Sequence, residues 1–335
     1  DVDINGAVAL AAGVTIDTDA GNGTVDLSST LNGAQAFAIS SGTGAVAIQG
    51  VTGGTTALTS LTINAAGTGT IEVNNIGAGA VGVTNATAIG NANTTQLTLD
   101  GTVYNTDGTQ TYTAAAGNTI DLTAGATTTF TSTNDAITFG TGTVELADGS
   151  NLSVTTGAGA GNISLVAIKG SSVEDVTLNA GTGSIGVGQI GTVASEINDV
   201  TLTTTGTITL SGNISTDNIG ADVGDVDING AVTLGAAVAI DTSDGNGTVD
   251  FSSTLNGAFD LDISSGTGAV AIQGVTGGAA ALASLDINQA AGSGTIEVNN
   301  IGAGAAGVTN ATRIGNATTT QLTLDGTVYN ANAQT

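Results

Sequence analysis

The chain repeats itself. Residues 1–111 return with few changes as 225–335: GAVAIQGVTGG occupies Gly44 to Gly54 and again Gly268 to Gly278, and TIEVNNIGAGA begins at Thr70 and at Thr295. The offset is 224 residues, becoming 225 after one insertion near Gln289. A sequence that returns this closely is expected to fold as stacked units, each burying what its neighbour leaves open. On this reading 1–224 is one complete long repeat, and 225–335 starts a second that is continuous with the first. The whole reads as a window on a longer tandem array. The chain contains no Met, so its first residue is expected to lie inside a larger gene product, with targeting information elsewhere.

Within the long repeat lies a shorter one, a strand, a small glycine turn and a second strand. It appears in VTIDTDAGNGTVDLSS from Val14, FAISSGTGAVAIQG from Phe37, LTINAAGTGTIEVNN from Leu61, ITFGTGTVELADG from Ile137 and VTLNAGTGSIGVGQIG from Val176. Apolar residues alternate with small or polar ones on both sides of each turn, the period of a half-buried strand. Glycine is expected at these turns for its access to positive φ. Gly23, Gly44 and Gly69, like Gly247, Gly268 and Gly294, recur at roughly two-dozen-residue intervals, which fits one coil of a β-solenoid. The prediction is therefore an all-β parallel β-helix of about fourteen short coils. At ~4.8 Å per stacked strand this makes a rod on the order of 70 Å long. A β-sandwich array would also alternate, but it calls for longer loops, some Pro and aromatic core anchors. Here Pro is absent and aromatics are 2%.

Differences between the long copies separate inside from outside. Phe37 and Ile39 become Leu261 and Ile263, and Leu27 becomes Phe251, all still apolar. Their alternate neighbours Ala36 and Ala38 become Asp260 and Asp262, and Thr62 becomes Asp286. Acid enters only at alternate positions, which are accordingly assigned to the water-facing side.

Charge narrows the partners. There are 28 acidic residues against Lys169 and Arg313, a net charge of −26. Nothing could neutralise a phosphate backbone, so neither nucleic acid nor an anionic membrane surface is an expected partner. No apolar run is long enough for a membrane span, and membrane insertion is not expected. Regular alternation and a mean hydropathy of +0.30 argue against disorder.

The candidate chemistry is sparse. DVDING at Asp1 and Asp225 matches the opening of an EF-hand loop, but Ala12 and Ala236 stand where the bidentate Glu belongs. It is read instead as outward Asp, inward Val and Ile, and a closing Asn-Gly turn. Asp17, Asp19 and Asp26, answered by Asp241, Asp244 and Asp250, are the candidate metal ligands, with Ca²⁺ the only cofactor considered. Asp19 aligns with Ser243 and Asp244 with Ala20, so one carboxylate has changed place; solvated acidic surface is the preferred reading, with no metal or cofactor assigned. Each GxG leads into another strand, not into the helix that a dinucleotide site needs. With no His or Cys, Ser-His-Asp, Cys-His and zinc sites are excluded within these residues. No catalytic residue is assigned and no enzyme is expected; a carboxylate-based polysaccharide-acting β-helix remains the minor alternative. Threonine runs from Thr109, Thr127 and Thr201 raise ice binding, which requires threonines in register. Asn85, Asn151, Asn162, Asn213 and Asn310 open glycosylation sequons.

These strand-GxG-strand units, written in Val, Ile, Thr, Asn and Gly with few Lys and no Cys, resemble the repeat regions of large bacterial surface adhesins of the filamentous haemagglutinin type. They also resemble giant cell-surface fibre proteins. The resemblance is one of composition and period across the whole chain. It implies an exported, passive shaft at the cell surface that projects binding regions towards a host-surface or glycan ligand. A Ca²⁺-dependent adhesive module is the alternative. With no capping coil at either end, end-to-end self-association is expected, and lateral bundling through cations screening the acidic faces is a further expectation.

Overall fold

The computed structural model describes residues 1–335 except 172, 217–222, 291 and 305. The chain is all-β, a parallel β-solenoid of about 14 turns. A single 3₁₀ turn, Asp19–Gly21, is the only helical element among the described residues. Two compact units divide it, Asp1–Ile168 and Lys169–Thr335. This division falls inside the long repeat and not at its boundary.

In the first unit one interior column runs Val2, Val25, Val46, Ile71, Leu97, Ile120 and Val144, each paired in parallel with the next. Two residues further along each strand a second column runs Ile4, Leu27, Ile48, Val73, Leu99, Leu122 and Leu146. The registers hold because the side-chain period is 2: a one-residue slip would turn every Val, Ile and Leu to water and every Asp inward. Each buried side chain of this kind contributes about 1.5–3 kcal/mol. The second unit repeats the pattern with Val200, Val226, Val249, Val270, Ile296 and Leu322.

The inside-outside assignment is met. Phe37, Ile39, Leu27, Leu261, Ile263 and Phe251 are buried. Asp260 and Asp262 are exposed, and Asp286 is partly so.

Two local expectations are corrected. At the stacked corner that carries Gly44 and Gly268, the second glycine of the GxG is not there for positive φ. Gly42 and Gly266 do take φ of 61° and 60°, yet Gly44, Gly69, Gly247, Gly268 and Gly294 do not lie in the left-handed region. What they avoid is collision: a Cβ on Gly44 would lie 2.3 Å from the Gly23 carbonyl oxygen, and one on Gly69 would lie 2.1 Å from that of Gly44. The same stack runs through Gly224, Gly247, Gly268 and Gly294. Coil stacking at this corner brings backbone against backbone, leaving no room for a side chain.

The second correction concerns Asn229-Gly230, which does not close a turn. The strand Val226–Leu234 runs through it, with a register irregularity opposite Thr203 and Thr207. Ile137–Leu146 likewise stays one strand through its GTG, resting on Gln110–Thr113 with its first half and on Thr119–Leu122 with its second. These glycine sites are corners within a continuous ladder.

Candidate functional site

The outward faces carry the chemistry. Between the two interior columns of the first unit, Asp3, Asp26, Ala47, Glu72, Thr98, Asp121 and Glu145 stack in one line. In the second unit the equivalent line is Thr177, Thr201, Asp227, Asp250, Ala271, Glu297 and Thr323. Strands about 4.8 Å apart bring these carboxylates close together. Burial among neighbours, followed by the charges of Asp227 and Glu297, raises the Asp250 carboxyl above its ordinary value.

A second outward line in that unit reads Ala239, Asp262, Asp286, Arg313. Arg313 Nε lies 3.1 Å from Asp286 Oδ1. Burial, then Asp286 and Asp241, push the Asp262 carboxyl up, while Arg313 pulls it down. In the first copy the same line holds Ala38, Thr62 and Ala88. The arginine therefore enters in the copy where two acids also enter, and it compensates them.

The six candidate aspartates do not gather. Asp17 Oδ1 accepts the Asp19 N–H at 3.0 Å, while Asp26 stands in the Asp3 line on another strand. Asp241 Oδ1 accepts both the N–H and the hydroxyl of Ser243, at 3.0 and 2.6 Å. Asp244 is exposed, and Asp250 belongs to the Asp227 line. Among the described residues no group of three or more acidic side chains is placed to share an ion.

Both DVDING segments follow the strand reading, with Asp227 exposed between buried Val226 and Ile228. GxG leads into strands, as at Gly42 to Gly44 before Val46–Ile48. Among the described registers threonine meets threonine in short runs: Thr111 on Thr138, Thr119 on Thr143, Thr131 on Thr155, Thr177 on Thr201 and Thr209 on Thr233. The last two stand in lines that do not continue as threonine: Asp227 follows Thr201, and Gly186 lies beneath Thr209. Of the sequon asparagines, Asn85 and Asn310 are exposed at equivalent places in the two copies, whereas Asn213 Oδ1 accepts the Ala239 N–H at 2.9 Å.

Two interior features were not anticipated. Tyr104, Tyr112, Phe130 and Phe139 form one buried stack; Tyr104 lies parallel to Phe130 with centroids 4.8 Å apart, and Tyr112 meets Phe139 at 5.4 Å. The Tyr104 hydroxyl donates to the Val73 carbonyl at 2.8 Å, and burial raises both phenols. The signal available was the aromatic in TVYN, TQTYT, TTTFTST and ITF, each at an inward position between two outward-facing neighbours. Buried asparagines also tie corners together. Asn64 Oδ1 accepts the Ser41 N–H at 2.8 Å and its Nδ2 donates to Ser41 Oγ at 2.9 Å, and Asn288 repeats this on Ser265.

The residues therefore form a stacked scaffold with a mainly apolar interior and acidic outer lines. No family model, curated protein or solved structure matches the chain.

Proposed function

We propose that the chain is a non-catalytic structural segment of an extracellular fibre or adhesin, acting as a stiff acidic spacer. The observation that carries this reading is the pair of unbroken apolar columns within each unit, held in register from coil to coil. Extension of such a stack requires whole backbone ladders to part together, which resists force. The variable outer lines, rich in carboxylate, keep the surface hydrated and mutually repulsive at low salt.

Single-molecule stretching tests the mechanical part. Stepwise release is expected, each coil of roughly two dozen residues freeing about 80 Å at ~3.4 Å per residue. A chain that extends smoothly under thermal forces, without steps, refutes the spacer. Protease shaving of intact producing cells tests the location: the segment must be removed while cytoplasmic markers survive.

A further inference from the structure

We propose that Asn22-Gly23, Asn32-Gly33, Asn246-Gly247 and Asn256-Gly257 are latent modification sites: the next coil holds them closed to deamidation, and lifting that coil releases them to aspartate and isoaspartate. Water is the only co-reactant, and the inference holds wherever the chain is located.

Asn-Gly is the dipeptide in which a side-chain amide meets the following backbone nitrogen with least hindrance, because glycine brings no Cβ to the approach. The chain has six such pairs. In the reaction the glycine nitrogen attacks Asn Cγ and an N–Cγ bond forms. The Cγ–Nδ2 bond breaks, and Nδ2 leaves as ammonia with the proton given up by the glycine nitrogen. Water then opens the succinimide at either carbonyl, giving aspartate, or isoaspartate with one more atom in the backbone. The first step needs the reacting atoms aligned at about 3–3.5 Å. The carboxamide must turn back onto its own backbone, and the glycine N–H must be free to lose its proton.

The four corners deny both conditions. Asn32 Oδ1 accepts the N–H groups of Thr55 and Thr56 at 2.9 and 3.3 Å, and the Gly33 N–H donates to the Thr56 carbonyl at 3.1 Å. Thr56, one coil on, therefore holds both reactants. Ala280 does the same in the second copy. Its N–H and that of Ala279 donate to Asn256 Oδ1 at 3.2 and 2.9 Å, and its carbonyl accepts the Gly257 N–H at 3.1 Å. At the other corner the two holds are divided. Asn22 Oδ1 accepts the Thr43 N–H at 2.9 Å and Asn246 Oδ1 that of Thr267 at 2.8 Å, both from the next coil. The Gly23 and Gly247 N–H groups donate within their own coil, to the Thr18 and Thr242 carbonyls at 3.3 and 3.1 Å. The remaining Asn-Gly pairs, at Asn5 and Asn229, lie outside these corners, the latter within the strand Val226–Leu234.

The two products differ in fit. Aspartate keeps the acceptor, as Asp225 Oδ1 already takes the Thr248 N–H at 2.7 Å and Asp199 Oδ1 that of Asp225 at 2.8 Å. Isoaspartate lengthens the backbone at Asn246-Gly247, where Gly268 of the next coil already approaches too closely for a Cβ. A coil that carries it cannot restack, so lifting leaves a permanent mark.

Deamidation from a lifted coil scales with the lifted population. Peptide mapping by mass spectrometry, with isoaspartate detection, follows each site in the 335-residue chain at mildly alkaline pH, folded and in urea. The four corners are expected to react at least about tenfold faster in urea, a factor that corresponds to ~1.4 kcal/mol of closure. In the folded chain Gly268→Ala, whose Cβ would lie 2.5 Å from the Asn246 carbonyl oxygen, lifts the covering coil. The Asn246 rate then rises at least about tenfold, while Asn22 keeps its wild-type rate. Gly186→Ala, with nothing within 4 Å of its Cβ, changes neither. Should Gly268→Ala unfold the chain, Gly266→Ala is the second variant: its Cβ would meet Asn246 Oδ1 at 2.5 Å, pushing the carboxamide off Thr267 and raising the same site. Corners that react as fast folded as in urea overturn the proposal. So does an Asn246 rate that neither variant moves, or a rise that Asn22 shares equally in both.

Discussion

Gly268→Ala isolates the physical reason for the corner glycines. Its φ is not in the left-handed region, so alanine meets no backbone objection of its own. The added Cβ would lie 2.1 Å from the Gly247 carbonyl oxygen and 2.5 Å from that of Asn246. Carbon-oxygen contacts settle at about 3.3–3.6 Å, so the coil must retreat by about 1 Å at a point where two backbones meet. The adjacent bond from the Val249 N–H to the Ala269 carbonyl is 2.9 Å, and an added ångström takes it out of hydrogen-bonding range. Leaving that buried N–H unpaired costs about 1–3 kcal/mol, and the residual overpacking costs about 1–3 kcal/mol more. Alanine returns about 0.4–1 kcal/mol by restricting the unfolded chain. The net loss is about 1–5 kcal/mol. Gly186 is the control, since a Cβ there meets nothing within 4 Å, and Gly186→Ala is neutral or stabilising by under about 1 kcal/mol. Gly266→Ala falls between them: it must hold φ near +60°, but its closest clash, at 2.5 Å, is with the end of the Asn246 side chain, which can move. Native-state hydrogen exchange at the Val249 amide, with urea unfolding of each variant, reads the order. If Gly268→Ala proves within about 0.5 kcal/mol of Gly186→Ala, the close-approach argument is wrong.

Three further outcomes are expected. Phe130→Ala empties the centre of the aromatic stack, where Phe130 is fully buried and lies 4.9 Å from Phe139; urea unfolding is expected to show a loss of about 3–5 kcal/mol. Asn64→Ala strands the buried Ser41 N–H and places alanine at φ 47°, costing about 2–4 kcal/mol, with enhanced exchange at Ser41 as its local sign. The carboxyls of Asp250 and Asp262 are raised in the folded state, chiefly by burial and then by neighbouring acids. The folded chain therefore holds these protons more tightly than the unfolded one. The stabilisation is fully present below the ordinary aspartate range and is lost as pH rises through the raised folded values. The urea midpoint should fall across that window, and Asp250→Asn should flatten the fall; a midpoint that climbs with pH contradicts it.

What the sequence made legible follows from what repetition records. Period 2 and the recurrence of GxG set the strand and coil lengths, and two copies differing at Ala36, Ala38 and Thr62 marked the outer face directly. Neither signal reports what lies above a residue in the next coil. Gly268 was assigned to a turn for its φ because φ is a property of one residue, while its actual constraint is the Gly247 carbonyl one coil away. The Tyr104–Phe130 stack was missed for the same reason: coils vary in length, so the register that superposes those rings cannot be counted from spacing. The six candidate aspartates were grouped by nearness along the chain, whereas the coil distributes them between different strands.

The acidic lines show how such a surface is limited by its own stacking. Two unit charges one strand spacing apart, at about 4.8 Å, repel by about 1 kcal/mol in water-like surroundings and more where burial lowers the dielectric. In parallel coils this penalty would accumulate along any uninterrupted line. Neither main line runs acid more than two deep in its described registers: Asp3 and Asp26 are followed by Ala47, Glu72 by Thr98, Asp227 and Asp250 by Ala271, and Glu297 by Thr323. Where the second copy does add Asp262 and Asp286 to a neutral line, Arg313 closes the pair at 3.1 Å.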